Sequence, residues 1–218
     1  MQHRARGISM IEILIGLAIL GIGIAWGVPS YGVWMQNLQI RNMAESIVSG
    51  LQVARSEAVS RNAAVEFVLT NADVVAANRN IAVNTLGNDK GLNWMVRAVL
   101  PVGYAYVTGR DGNEGSRNAI LQAGDAGFTG NLYAVTFDGF GRQRSNANGI
   151  IENVDATGQI AKICIGSSKL TATNGARLLE IDVSVSGQIK MCDPSVTDAT
   201  DPRRCLTPAP RCVQGKLP

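Results

Sequence analysis

The feature that most restricts how this chain can fold is an unbroken apolar run from Ile13 to Trp34, entered through Arg4-Ala5-Arg6-Gly7-Ile8-Ser9-Met10-Ile11-Glu12. The stretch from Ile8 to Trp34 exceeds the roughly 20 residues that cross a bilayer as a helix, and its one charge, Glu12, lies near its beginning. Ten of the residues between Ile11 and Val28 are Ile, Leu or Val. Each favours insertion by about 0.3 to 0.6 kcal/mol, against roughly 3 kcal/mol for a carboxylate at the membrane centre, so insertion is favoured. His3, Arg4 and Arg6 place the leader on the cytoplasmic side, and no small-residue cleavage site follows the apolar core. The remainder of the chain is then expected outside the cytoplasm. A carboxylate inside such a segment persists with a partner or a task, which makes Glu12 a candidate functional residue.

Gly23-Ile24-Ala25-Trp26-Gly27 has the spacing of small residues that lets two helices approach closely. Pro29 removes a helical hydrogen bond, so Gly21 to Pro29 is the expected site of a kink or local unwinding. Beyond it the pattern becomes amphipathic. Leu38, Ile40, Met43, Ile47, Leu51, Ala54 and Ala58 recur mostly at three- and four-residue steps, with Arg41, Glu45, Gln52, Arg55 and Arg61 on other faces. One helix from Ile8 to Asn62 would run roughly 80 Å, its first half facing lipid or other helices and its second packing on a sheet.

The rest is β-rich. Val65 to Leu69, Asn93 to Val99, Tyr104 to Val107, Tyr133 to Phe137, Ile160 to Ile165 and Leu178 to Met191 read as strands between Gly, Asn and Asp clusters. Asn71 to Gly91 and Asp111 to Gly127 read as polar loops, and Asp111-Gly112-Asn113-Glu114 lacks the oxygen set of a calcium loop. The only histidine, His3, precedes the apolar run, which excludes imidazole-based catalysis and His-containing zinc sites from everything after it. No catalytic set, cofactor motif or metal site is expected, and the chain is not read as an enzyme. Removing a leader with two arginines takes the formal charge from +3 to about +1, too near neutral to argue for nucleic acid by itself.

Cys164, Cys192, Cys205 and Cys212 form an even set in a segment expected outside the cytoplasm, which favours disulfides. Three pairings are possible. The first two cysteines lie in or beside expected strands and the last two flank a proline-rich turn, so Cys164 with Cys192 and Cys205 with Cys212 is the expected arrangement.

Gly7-Ile8-Ser9-Met10-Ile11-Glu12 and the run behind it resemble the class III signal of type IV prepilins and type II secretion pseudopilins. The resemblance implies cleavage by prepilin peptidase between Gly7 and Ile8, N-methylation of Ile8, and pairing of Glu12 with the N-terminal amine of a neighbouring subunit during assembly. Leu51-Gln52-Val53-Ala54-Arg55-Ser56-Glu57-Ala58-Val59-Ser60-Arg61-Asn62 is similar to the L-x-x-A-R-x-E-A-x-x-R-x signature of the FimU, FimT and GspH branch of minor pilins. Phe137-Asp138-Gly139-Phe140-Gly141 resembles that branch's F-x-x-x-G turn. The implied fold is α+β, the type IV pilin fold: a long N-terminal α-helix, transmembrane half plus amphipathic half, packed on an antiparallel β-sheet head.

The implied organisation is a leader at 1–7, a filament-core helix at 8–35, an amphipathic helix at 36–62 and a head at 63–218 with a disulfide-bonded tail. The expected role is that of a minor pilin, anchored by a single pass in the inner membrane with a periplasmic head, and assembling with other pilins into a pilus or pseudopilus. The rival readings are a GspH-like pseudopilin of type II secretion and a FimT-like DNA-binding pilin. For the latter, Gly141-Arg142-Gln143-Arg144 matches G-R-x-R, and Arg142 and Arg144 are the candidate contacts to duplex DNA. The late-strand position where that resemblance expects the motif reads Gly187-Gln188-Ile189-Lys190 instead.

Overall fold

The computed structural model describes residues 8–74, 87–127, 132–144, 160–205, 212 and 217, with the side chains of 26–30, 113 and 172 excepted. The leader, including His3, Arg4, Arg6 and Gly7, lies outside the described residues.

Helix α1 (Met10–Arg61) is continuous over 52 residues. It stays helical through Gly21 to Pro29, so of the two outcomes expected there, a kink or local unwinding, the unwinding does not occur. One hydrogen bond lost at a proline is tolerated when regular turns propagate on both sides. The helix ends at Asn62, whose left-handed backbone (φ 47°, ψ 41°) closes the last turn. Asparagine reaches that conformation more readily than other non-glycine residues, and Ala63 N–H completes the cap on the Ala58 carbonyl at 3.2 Å.

The head holds eight strands among the described residues: β1 (Val65–Thr70), β2 (Asn93–Val99), β3 (Tyr104–Arg110), β4 (Ala119–Gly124), β5 (Ala134–Phe137), β6 (Lys162–Ser167), β7 (Leu179–Val183) and β8 (Ile189–Cys192). They form two antiparallel four-stranded sheets, ordered β3-β2-β1-β5 and β4-β6-β7-β8. The expected antiparallel head is present, divided in two.

The larger of two buried apolar clusters joins the sheets because α1 packs on both. Ile40, Met43, Ala44, Ile47, Leu51, Ala54 and Ala58 are buried, meeting Phe67, Leu69 and Trp94 of the first sheet and Ile163, Ile165, Ile181 and Val183 of the second. Leu38, expected on this face, is exposed, and Ala44 takes a place on it instead. The closest approach is at Gly50, where an added Cβ would lie 2.8 Å from Phe67 Cε2 and from Trp94 Cε3. Trp94 is fixed there by its indole N–H donating to Ser46 Oγ at 2.9 Å.

Two expectations for the head are corrected. Ala119 to Gly124, inside a segment read as loop, is strand β4, whose alanines and glycine give weak β-propensity and which forms by pairing with β6. Leu178 to Met191, read as one strand, is the β7–β8 hairpin. Its turn is closed by Ser184 Oγ accepting the Gln188 N–H at 3.0 Å, with Gly187 at φ 81°.

Candidate functional site

The stem is a surface rather than a pocket. The large apolar side chains from Ile8 to Ile24 are between 52% and 84% exposed, an arrangement that water does not favour. Glu12 sits exposed among them in the first turn, beside the positive end of the helix dipole. The Ser9 carbonyl accepts the Glu12 and Ile13 N–H groups at 3.1 and 3.3 Å, and Ser9 offers no side-chain cap. Gly16, Gly21 and Gly23 have open space where a side chain would be, leaving backbone accessible to another helix. No helix among the described residues is long and apolar enough to cross a membrane; the described apolar stretch is interrupted at 26–30, where side chains are not described.

Exposed Tyr31 and Trp34 pack 5.8 Å apart at the upper end of this stretch. One turn later the head is tied to the helix. Ser167 Oγ donates to Gln36 Oε1 at 3.1 Å, Arg177 N–H to Asn37 Oδ1 at 2.8 Å, Asn37 Nδ2 to the Gly175 carbonyl at 3.0 Å, and Asn118 N–H to Gln39 Oε1 at 3.0 Å. A cleft of about 510 Å³ opens beside these ties, with Trp34, Leu38, Met191, Arg41, Arg177 and Arg203 among its lining residues.

Arg142 and Arg144 flank a tight turn at the other end of the head. Asp138 Oδ1 accepts the N–H groups of Phe140 and Arg142, each at 2.9 Å, and Gly141 adopts φ 73°. Arg55, from the matched helix segment, donates to the Gly141 carbonyl at 3.1 Å and docks this turn on α1. The Arg142 side chain is exposed but lies 3.5 Å from Asp138 and over the Phe140 ring, while Arg144 is half-buried. Between them Gln143 points inward, donating to the Ile160 carbonyl at 2.8 Å. The two arginines thus share a turn, one of them already facing a carboxylate.

The cysteines form Cys164–Cys212 and Cys192–Cys205, with Cα atoms 5.5 and 5.0 Å apart. This corrects the expected pairing. In the second sheet Cys164 lies opposite Glu180, and Glu180 opposite Cys192, so β7 separates the two cysteines. Two strand spacings amount to about 9.6 Å, beyond the roughly 7 Å that a disulfide bridges.

Four charged residues of the strands, Glu66, Arg97, Lys162 and Glu180, are buried. Arg97 Nε–H donates to Glu66 Oε2 at 2.6 Å, directly across β1 and β2, and the Arg97 guanidinium lies 3.7 Å from the centre of the Tyr104 ring. Burial raises the Glu66 carboxyl above its ordinary range, with Arg97 opposing the shift. On the second sheet Lys162 lies 3.8 Å from Glu180, whose other oxygen accepts the Cys212 N–H at 2.8 Å. Burial raises Glu180 as well, with the backbone bond and Lys162 pulling it down and neighbouring Asp182 pushing it up. The only hint in the sequence was a charge at alternate positions of otherwise apolar strands. Glu180 and Asp182 approach the disulfide sulfurs, but every described cysteine is oxidised, so the described residues supply no thiolate ligand for a metal.

An exposed apolar helix carrying one carboxylate, joined to a disulfide-bonded antiparallel head, defines a pilin-like protein. Residues 2–28 match the prokaryotic N-terminal methylation motif, and residues 43–187 match the family described as type II transport protein GspH. The chain belongs to the GspH family, whose members are type IV minor pilins and pseudopilins, structural proteins rather than enzymes. Two crystal structures of the Pseudomonas aeruginosa (strain PAO1) type IV minor pilin FimU, in space groups P21 and P65, are similar to it at 18% identity. Their TM-scores are 0.40 and 0.39, and the alignments cover 70% and 69% of this chain and 87% and 90% of those chains. No curated protein sequence matches the chain.

Proposed function

We propose that this protein is a minor pilin: cut between Gly7 and Ile8 by prepilin peptidase, N-methylated at Ile8, held by a single pass in the inner membrane, and drawn with other pilins into a type IV pilus. The observation that carries the reading is the exposed stem from Ile8 to Ile24 with Glu12 as its only charge. An unpaired carboxylate in hydrocarbon is costly, and a neighbouring subunit's N-terminal ammonium removes that cost at one stagger between helices. Glu12→Ala is expected to leave membrane insertion intact and to abolish recovery of the protein in sheared filaments. Incorporation of the alanine variant at the parental level refutes the assembly role. Gly7 replaced by a bulky residue should block processing, and a mature N-terminus other than Ile8 by mass spectrometry refutes the cleavage assignment.

A second reading, a pseudopilin of type II secretion, is favoured by the description of the matching family. Identifying the subunits that co-purify from envelope membranes separates the two. A role in binding duplex DNA would rest on exposed Arg142 together with Arg144, and requires binding that falls steeply with salt and is lost in R142A/R144A. The Asp138 carboxylate beside Arg142 works against it.

A further inference from the structure

The three ties at Gln36, Asn37 and Gln39 share a property beyond anchoring the head. They hold the stem-ward ends of neighbouring strands: Ala119 of β4 lies opposite Ser167 of β6, and Ile165 of β6 opposite Leu179 of β7. Each tied loop carries an exposed cation: Arg117 just before Asn118, Lys169 two residues after Ser167, and Arg177 itself. At roughly 100° per residue, the three helix positions span an arc of about 160°, so the ties half encircle the stem on the side of the second sheet.

These cations differ from five other exposed arginines of the helix and head. Arg41, Arg61, Arg110, Arg142 and Arg203 each lie within 3.5 Å of a carboxylate, on Glu45, Glu57, Glu114, Asp138 and Asp201 respectively. Arg117, Lys169 and Arg177 face no carboxylate among the described residues. Of the acids at this end of the head, Glu45, Glu114 and Asp201 are paired with Arg41, Arg110 and Arg203, while Asp193, in the cleft that Arg177 also lines, accepts from Ser195 and keeps its charge. Three exposed cations without an ion-pair partner among the described residues therefore lie where the stem leaves the head.

Depth supplies the occupant. From Glu12 to Trp34 the helix rises about 33 Å, close to the roughly 30 Å hydrocarbon core of a bilayer. Exposed Tyr31 and Trp34 then mark the interface, as aromatic side chains with one polar edge do. Gln36 to Gln39 follow about 3 to 8 Å further out, within the headgroup layer. We propose that Arg117, Lys169 and Arg177 form a basic collar that binds the phosphodiester headgroups of anionic lipids while the stem is in the membrane, seating the head at a fixed height until the subunit leaves the bilayer. This deepens the membrane-anchored reading above and rests on it.

The test uses the full processed chain in nanodiscs of pure phosphatidylcholine, or of equal parts phosphatidylcholine and phosphatidylglycerol. After mild detergent extraction, native mass spectrometry counts the lipids retained by the parent and by R117Q/K169Q/R177Q. The ties at Arg177 and Asn118 are made by backbone N–H groups, so the glutamines leave them in place. R61Q, at the far end of α1, is the control.

Each basic residue near an anionic surface is worth about a fivefold gain in partitioning, so loss of all three should lower the preference for phosphatidylglycerol by about a hundredfold at low salt. The parental preference should also shrink as salt rises. Entry into the discs with no phosphatidylglycerol preference, or with a preference the triple variant retains, overturns the proposal and leaves the membrane reading standing. So does a triple variant that keeps its lipids and loses only its pilin partners, since the collar would then face protein. Failure of the parent to enter either disc overturns both readings.

Discussion

Replacing Gly50 by alanine sets two effects against each other with magnitudes that the structure fixes. Alanine favours a helix interior over glycine by about 1 kcal/mol, so on propensity alone the variant is more stable. The new methyl would, however, lie 2.8 Å from Phe67 Cε2 and from Trp94 Cε3, against an optimum of about 3.5–4.0 Å. Neither ring has an easy escape. Their centroids stack 5.8 Å apart, and Trp94 is tethered to Ser46. Overpacking of this kind costs about 1–3 kcal/mol, and contact with two rings argues for the upper part of that range. The expected net loss is about 2 kcal/mol, or a Tm drop of about 4–8 °C for a chain of this size. Thermal unfolding of the full chain in detergent micelles, followed by near-ultraviolet circular dichroism, measures it. Ser49→Ala, at the exposed neighbouring position, serves as the propensity control. A Gly50→Ala protein as stable as the parent, or more so, would refute the claim that the helix is held against these rings.

Arg97→Met should cost about 3–5 kcal/mol by leaving the buried Glu66 without its partner, while the double variant with Glu66→Leu should recover most of the loss; chemical denaturation of both checks this. Digestion without reductant should yield one peptide pair joined through Cys164 and Cys212 and another through Cys192 and Cys205. Removing the bonds separately should cost about 4 and about 3 kcal/mol from loop closure. Because burial raises Glu180, the folded protein holds a proton that the unfolded chain has already released. The stability this contributes is full below the ordinary carboxyl value of 4.5 and declines as pH rises through the folded-state value. Denaturation midpoints taken across that range should therefore move in favour of Glu180→Gln relative to the parent as pH increases.

The parts of the fold legible in the sequence are those where one physical signal dominates. Apolar length gave the stem, helical periodicity gave the Ile40–Ala58 face, and β2 matches the run of aromatic and β-branched residues that suggested it. Strand β4 was hidden because Ala119, Ala123 and Gly124 have low β-propensity, and only its neighbour β6 makes it a strand. The buried pairs escaped notice because Glu66 and Arg97 occupy positions that an isolated strand turns to water; their burial needs residues distant in sequence. At the candidate site, the position of Glu12 in the first turn of an exposed apolar helix was readable, because a lone charge in an oily run stands out. The ties at Gln36, Asn37 and Gln39 were not, since neutral amides on a helix carry no sign of the loops they hold.

The two cross-links have a bearing on how the molecule matures. In a chain threaded outward from its N-terminal end, Cys164 emerges first and meets Cys192 before either later thiol exists outside the membrane. Oxidation in order of arrival joins Cys164 to Cys192 and Cys205 to Cys212, two bonds that the finished sheet cannot contain because β7 stands in the way. The native bonds are nested, with Cys192–Cys205 inside the loop closed by Cys164–Cys212. Maturation then requires either that the first thiol be kept reduced until the last arrives, or that thiolate exchange rearrange an early mistake. A chain that kept the early pairing could not complete its second sheet, however well its stem were made.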